Sequence, residues 1–140
     1  MTPAEMEALI DAHLHAEGNG DPDGAVADYT DDIEHDLVGF PSGPLHGVPA
    51  AREFYQRLVK DLRTEGEQRT HTYYADHACV IENLMTARVT GSLMGIPGNG
   101  RVITFRILHV FEFRTGRISR ENVWLDGASI TAQLTAPAAG

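Results

Sequence analysis

From Val102 to Arg114 the chain alternates without a break, and that period of two dictates a long β-strand. Phe105, Ile107, His109, Phe111 and Phe113 fall on one face; Thr104, Arg106, Leu108, Val110, Glu112 and Arg114 fall on the other. The first is a core face that carries a single histidine. The second still presents Leu108 and Val110, and the following strand adds Ile118 and Trp124 to it. An outer sheet face this apolar is usually covered, and a second copy of the chain is the simplest cover. A homodimer through the sheet is therefore expected.

Upstream the period becomes helical. Thr2-Pro3-Ala4-Glu5 is a capping box with proline at the first helical position. Met6, Leu9, Ile10, His13 and Leu14 then recur as one buried stripe, which Gly18-Asn19-Gly20 ends. Asp21-Pro22 opens a second, short helix that carries Val26 and Tyr29 inward. Residues 32–38 read as a short strand, and residues 40–44 as a loop rich in Pro and Gly. A third helix runs from about Pro49 to Leu62, with Ala51, Phe54, Tyr55, Leu58 and Leu62 on one face. Strands follow over 69–75, 79–90, 102–114 and 117–126, the last two joined by Thr115-Gly116. Residues 91–101 make a turn region, residues 129–135 a final turn of helix, and residues 136–140 a frayed tail.

Helices first and long antiparallel strands afterwards imply an α+β domain. The expected architecture is a curved antiparallel sheet around an apolar pocket, with three helices from the N-terminal half packed on its concave face. One domain spans residues 1–140, with its core over about 5–130.

Charge narrows the partners. The 11 Lys+Arg and 20 Asp+Glu give a net −9, and such a surface repels phosphate backbones and anionic lipid. Neither nucleic acid nor a membrane is expected. The lone Cys79, between Ala78 and Val80, excludes an internal disulfide and a cysteine-based zinc cluster, and reads as a buried thiol. No basic segment followed by an apolar one opens the chain, and no apolar run approaches ~18 residues. A soluble, cytoplasmic protein is expected. The glycines after Leu93 lack the Lys-Ser/Thr of a phosphate loop, and the seven histidines have no metal-ligand spacing, so no metal is expected.

Several strings resemble one family. Asp28-Tyr29-Thr30-Asp31-Asp32, then His46-Gly47, then Phe54-Tyr55 is similar to the second helix, first strand and third helix of SnoaL-like polyketide cyclases, a pattern shared with ketosteroid isomerases. Gly91 to Pro97, Gly100-Arg101, Phe111, Gly116-Arg117-Ile118 and Asp126 resemble the SnoaL-like hairpin. The resemblance covers roughly residues 5–130 and implies the nuclear transport factor 2-like fold. Such a fold is a cone whose sheet wraps a deep apolar cavity with acid/base groups on its floor. By this resemblance His109 falls where the cyclases place a pocket histidine and the isomerases a protonated aspartic acid. His13 falls at the isomerases' oxyanion-binding tyrosine, and Asp36 close to their general-base aspartate. The chain departs from the pattern at Val123, where the cyclases and limonene epoxide hydrolases carry an acid/base aspartate. Valine cannot move a proton.

The residues themselves supply further candidates. His109 shares the inner face with Phe105, Ile107 and Phe111, where burial favours its neutral form. His35 and Asp36 are strand neighbours, so only one enters the pocket: alternation with Ile33 and Leu37 selects His35, and the isomerase resemblance Asp36. Glu121 shares parity with Val123 and can bring a carboxylate to the same wall. Asn83 and Tyr55 are inward-facing candidates for orienting a ligand, and each of these polar residues has a purely structural alternative. The expected function is a small-molecule pocket protein. Its chemistry is isomerisation, cyclisation or dehydration next to a carbonyl of a polyketide- or steroid-like ring substrate, with no cofactor. His35 or Asp36 removes the proton, His109 with His13 stabilises the enolate, and Glu121 returns the proton. The competing class is a non-catalytic ligand-binding or dimeric interaction module, which Val123 favours.

Overall fold

Thr2 caps α1 (Pro3–Gly18) as its sequence dictates: its hydroxyl accepts from the Glu5 amide, and the Glu5 carboxylate accepts from the Thr2 amide. In this computed structural model, which describes residues 1–137, Met6, Ile10, His13 and Ala16 form the buried stripe of that helix. Residues 138–140, part of the expected frayed tail, lie outside the described residues. The chain continues through α2 (Pro22–Val26), β1 (Tyr29–Leu37), β2 (Leu45–His46) and α3 (Val48–Asp61). Next come β3 (Leu62–Tyr74), β4 (Ala78–Val89), β5 (Ser92–Leu93), β6 (Ile96–Pro97), β7 (Arg101–Arg114), β8 (Arg117–Leu125) and α4 (Gly127–Thr135).

Six strands form a curved, unclosed sheet in the order β2-β1-β8-β7-β4-β3, and the helices pack against it. Every pairing is antiparallel except β1 with β8. That one parallel pairing joins segments more than 80 residues apart and builds the site, because it sets His35 beside Glu121. β5 and β6 form a separate hairpin whose turn, Met94-Gly95, has positive φ at both positions (52° and 77°).

Several segments differ from the sequence pattern. Tyr29, expected on the second helix, opens β1, and the expected turn region 91–101 contains the short strands β5 and β6. β3 begins at Leu62, seven residues before the expected strand. Residues 63–68 carry no apolar side chain, as suits a strand at the sheet edge, and Gly66 sits at a break in its register with β4. Ile118 points into the core, not onto the outer face. Opposite the Glu112–Phe113 step of β7, β8 carries one extra residue, Ser119, and such a bulge moves the side chains before it across the sheet.

The core has two clusters. One joins α1, α2, α3 and β1 through Met6, Ile10, Val26, Tyr29, Ile33, Phe54 and Tyr55. The other gathers Met85, Phe105, Ile107, Val123, Ile130 and Leu134 around the later strands and α4. Leu37 and Phe40 touch both.

Candidate functional site

Strand register assembles the site. On the inner face of β7 and β8, His109 lies opposite Val123 and Phe111 opposite Glu121. Parallel pairing then puts His35 next to Glu121 from the other side. The carboxylate missing at Val123 is thus presented two residues earlier on the same wall, diagonal to His109.

Around Glu121 the structure gathers three imidazoles and two phenols, all buried. Tyr29 donates to Glu121 Oε1 at 2.6 Å, and Tyr55 donates to Oε2 at 3.1 Å. His13 Nδ1 donates to the Ala25 carbonyl at 2.7 Å, which leaves Nε2 facing Oε1 at 2.8 Å. A proton must lie between those two atoms, and an imidazolium paired with a carboxylate places it on His13. With the Tyr55 proton committed to Glu121, His35 Nε2 is the donor to the Tyr55 oxygen at 3.1 Å. His35 and His109 approach Oε2 with Nε2 at 3.8 and 4.0 Å.

Burial and charge sort the protonation states. Burial alone would lower His13, but the Glu121 charge and hydrogen bond lift it to about 9. Burial would raise Glu121; its histidine neighbours, His13 foremost, hold it well below the usual carboxylate range. His109 is pushed down to about 4 by burial, only partly offset by Glu121, and His35 is lowered for the same reason. Burial and the Glu121 charge raise both phenols. The floor therefore holds one ion pair beside two neutral imidazoles. His109 lies flat on Phe111 (centroids 5.3 Å apart, 6° between planes), and its Nδ1 has no partner among the described residues.

Above this floor is a cavity lined by His35, Tyr55, Phe105, Ile107, His109, Glu121 and Val123, all expected site residues. Its volume is about 40 Å³. His13 supports Glu121 from behind, and Phe111 backs His109; neither lines the cavity. Asp36 does not enter it. Strand alternation turns Asp36 to the outer face, beside Asn122 at 3.3 Å and Arg120 at 3.7 Å. Asn83 faces inward but donates to Glu67, away from the cavity.

Two polar residues at the site were not among the expected ones. The sequence pattern marks Tyr29 only as an inward-facing helix residue, although a buried tyrosine hydroxyl needs a partner. Glu17 lines the cavity one turn after His13, and its i,i+4 spacing on the same stripe was the available signal. Among the described residues no cluster of three His, Cys, Asp or Glu side chains is disposed to hold a metal. No described helix is long and apolar enough to cross a membrane.

The chain shares its fold with proteins of low sequence identity. A candidate polyketide cyclase from Xanthomonas campestris pv. campestris is 23% identical, with TM-score 0.80 over 94% of this chain and 98% of that one. An epoxide hydrolase of the LEH-like type from M. tuberculosis is 21% identical, with TM-score 0.73 over 94% of this chain and 90% of that one. A protein of ketosteroid isomerase-like fold from Catenulispora acidiphila, solved with trimethylamine, is 16% identical, with TM-score 0.76 over 98% and 96%. No curated protein matches the chain. The sequence model of the SnoaL-like domain matches residues 10–121. With well over half of its length matched, the chain belongs to the SnoaL-like domain family.

Proposed function

We propose that the protein is a cofactor-independent acid/base enzyme that moves a proton next to a carbonyl of a ring-containing, polyketide- or steroid-like substrate. One observation carries this reading: a neutral His109 on the cavity wall, its Nδ1 unpartnered and its Nε2 turned to the ionised Glu121. With Nε2–H directed at Glu121, the free Nδ1 lone pair accepts a proton from a carbon beside the carbonyl. Glu121 then stabilises the imidazolium that forms, as a carboxylate does for a catalytic histidine. The 4.0 Å separation suits a site that tightens when ligand excludes water. Isomerisation, cyclisation and dehydration all begin with this step.

A non-catalytic binding module of the same fold is the second reading, and Val123 directly opposite His109 favours it. Melting-temperature screening against cyclic ketones and phenols, followed by turnover assays with His109→Phe, separates the two. Ligand stabilisation with turnover that His109→Phe abolishes supports the enzyme. Stabilisation without turnover supports the module.

The proposal includes a homodimer through the outer sheet face, in a cytosolic setting where the buried, unpaired Cys79 stays reduced. Leu84, Val102 and Trp124 are 37%, 44% and 51% exposed on that face, beside half-buried Leu108 and Val110. Sedimentation of the wild-type protein as a dimer, and of Trp124→Glu as a monomer, is the expected outcome; a wild-type monomer removes the dimer from the reading.

A further inference from the structure

The cavity has a second carboxyl group with no assigned part. Glu17 is the penultimate residue of α1, a fifth of its side chain is exposed, and it lines the cavity with Glu121. Its Oε2 lies 3.7 Å from His13 Nε2, on the atom that Glu121 already holds at 2.8 Å. Both N–H groups of His13 are thus committed, to Glu121 and to the Ala25 carbonyl. Among the described residues the Glu17 side chain accepts no hydrogen bond. A half-buried carboxylate that shares its one cation with Glu121 is less favourable ionised than in water, and its place at the negative end of the helix dipole makes it more so. Local rules favour a cation in that turn, and residues that break such rules gather at functional sites.

We propose that Glu17 is the general acid of this cavity: its carboxyl group hydrogen-bonds an oxygen of the ligand and passes its proton to it. The assignment rests on the acid/base reading above and specifies its ligand class, a ring compound bearing a carbonyl or phenolic oxygen. In the step, the ligand C–H bond breaks as His109 Nδ1 takes the proton, and the carboxyl O–H bond breaks as the carbonyl oxygen becomes an enol hydroxyl. Reversal at a second carbon restores both groups, so no co-reactant is consumed. Glu121 alone cannot serve, because an ionised floor repels an enolate, whereas a neutral carboxyl neutralises it.

The electrostatics agree. Burial pushes Glu17 up to about 7; His13 opposes this, and the carboxylates of Glu121 on β8 and Glu67 on β3 reinforce it. Two carboxyl groups on one histidine are driven in opposite directions, the pattern by which acid and base roles are divided.

Two measurements test the assignment. In infrared pH titration of the unliganded protein, a protonated carboxyl band should persist to about pH 7, disappear in Glu17→Gln and survive in Glu121→Gln. In titration with a phenol and its deoxygenated analogue, Glu17→Ala should bind the phenol about tenfold more weakly and the analogue unchanged. Glu17→Gln should retain phenol affinity, because an amide still donates, yet lose about 10²-fold or more in kcat, because it releases no proton. A Glu17 ionised below pH 6 overturns the proposal. If ligands bind and turn over but Glu17→Ala changes neither, this assignment alone fails. If no carbonyl or phenol compound binds the wild-type protein, both this assignment and the acid/base reading fail.

Discussion

The two ends of the cavity are built on opposite principles. At the floor, between α1, β1 and β8, Glu121 is surrounded by His13, His35, His109, Tyr29 and Tyr55, and nearly every polar atom is committed. At the other end, towards the mouth, Met85, Leu93, Phe105, Ile107 and Leu125 of the later strands present only apolar surface. The floor is specified by directed bonds and is intolerant of loss. The mouth is specified by volume and is tolerant of exchange. A pocket built this way keeps its chemistry fixed while the shape of its entrance can drift, consistent with one fold serving many substrates.

Stability measurements can break this contrast. Glu121→Ala leaves His13 buried without its counter-charge, and losing one partner of a buried pair costs about 3–5 kcal/mol. Ile107→Val at the mouth should cost about 0.5–1.5 kcal/mol. Urea unfolding of both variants gives the comparison directly. If Glu121→Ala costs no more than Ile107→Val, the floor is not a paired network.

His109 lies on the border between the two ends, and there stability and function should part. Phenylalanine preserves the flat packing on Phe111 and removes a buried nitrogen that has no partner. Stability should hold or rise slightly while turnover falls about 10²–10⁴-fold. A large loss of stability in thermal unfolding would make His109 structural.

How much of this was legible in the sequence follows from which interactions are local. Alternation alone put Phe105, Ile107 and His109 on the inner wall, chose His35 over Asp36, and brought Glu121 to the wall that Val123 leaves without a carboxylate. The role of Tyr29 was not legible. It depends on the parallel pairing of β1 with β8, which no local pattern announces. Glu17 was missed because a glutamate in the last turn of a helix reads as solvated surface. The bulge that turns Ile118 inward and the polar edge strand at residues 63–68 were hidden for a related reason, since both depend on what lies alongside.

Acid should weaken the floor and leave the mouth alone. His109 is held near 4 when folded, against an ordinary value near 6.5, so the folded state binds fewer protons between those values. Its contribution is therefore lost as pH falls from 6.5 towards 4, by an amount on the order of 3 kcal/mol. Glu17 acts in the opposite sense: raised to about 7, it favours the folded state as pH falls from 7 to 4.5. His13, raised to about 9, stabilises fully below 6.5 and loses that effect as pH climbs through 9. Melting temperatures from pH 4 to 9 should show a shallower acid limb in His109→Phe and a steeper one in Glu17→Gln. Parallel curves for all three proteins would contradict these assignments.

The mouth yields the mildest effect and the sharpest test of its tolerance. Phe40 sits on the loop between β1 and β2, flanked by Gly39 and Gly43, both at positive φ (93° and 64°). Its ring lines the cavity and also an outer groove that includes Pro41, Arg57, Ser92 and Met94, so it separates the two. Phe54, Leu58 and Leu93 border both spaces as well, but Phe54 and Leu58 are fixed on α3, whereas Phe40 hangs on a loop. The inner space of about 40 Å³ is far smaller than the roughly 300 Å³ or more of a drug-sized pocket. A fused-ring ligand therefore has to displace something, and the Phe40 ring is the side chain with the least holding it. Phe40→Ala should cost about 1 kcal/mol, less than truncation of a fully buried phenylalanine, because the residue is only partly buried. The same change should tighten binding of bicyclic ketones severalfold and leave monocyclic ones nearly unchanged, as read by calorimetric titration. Equal effects on both ligand sizes would place the entrance elsewhere on the rim.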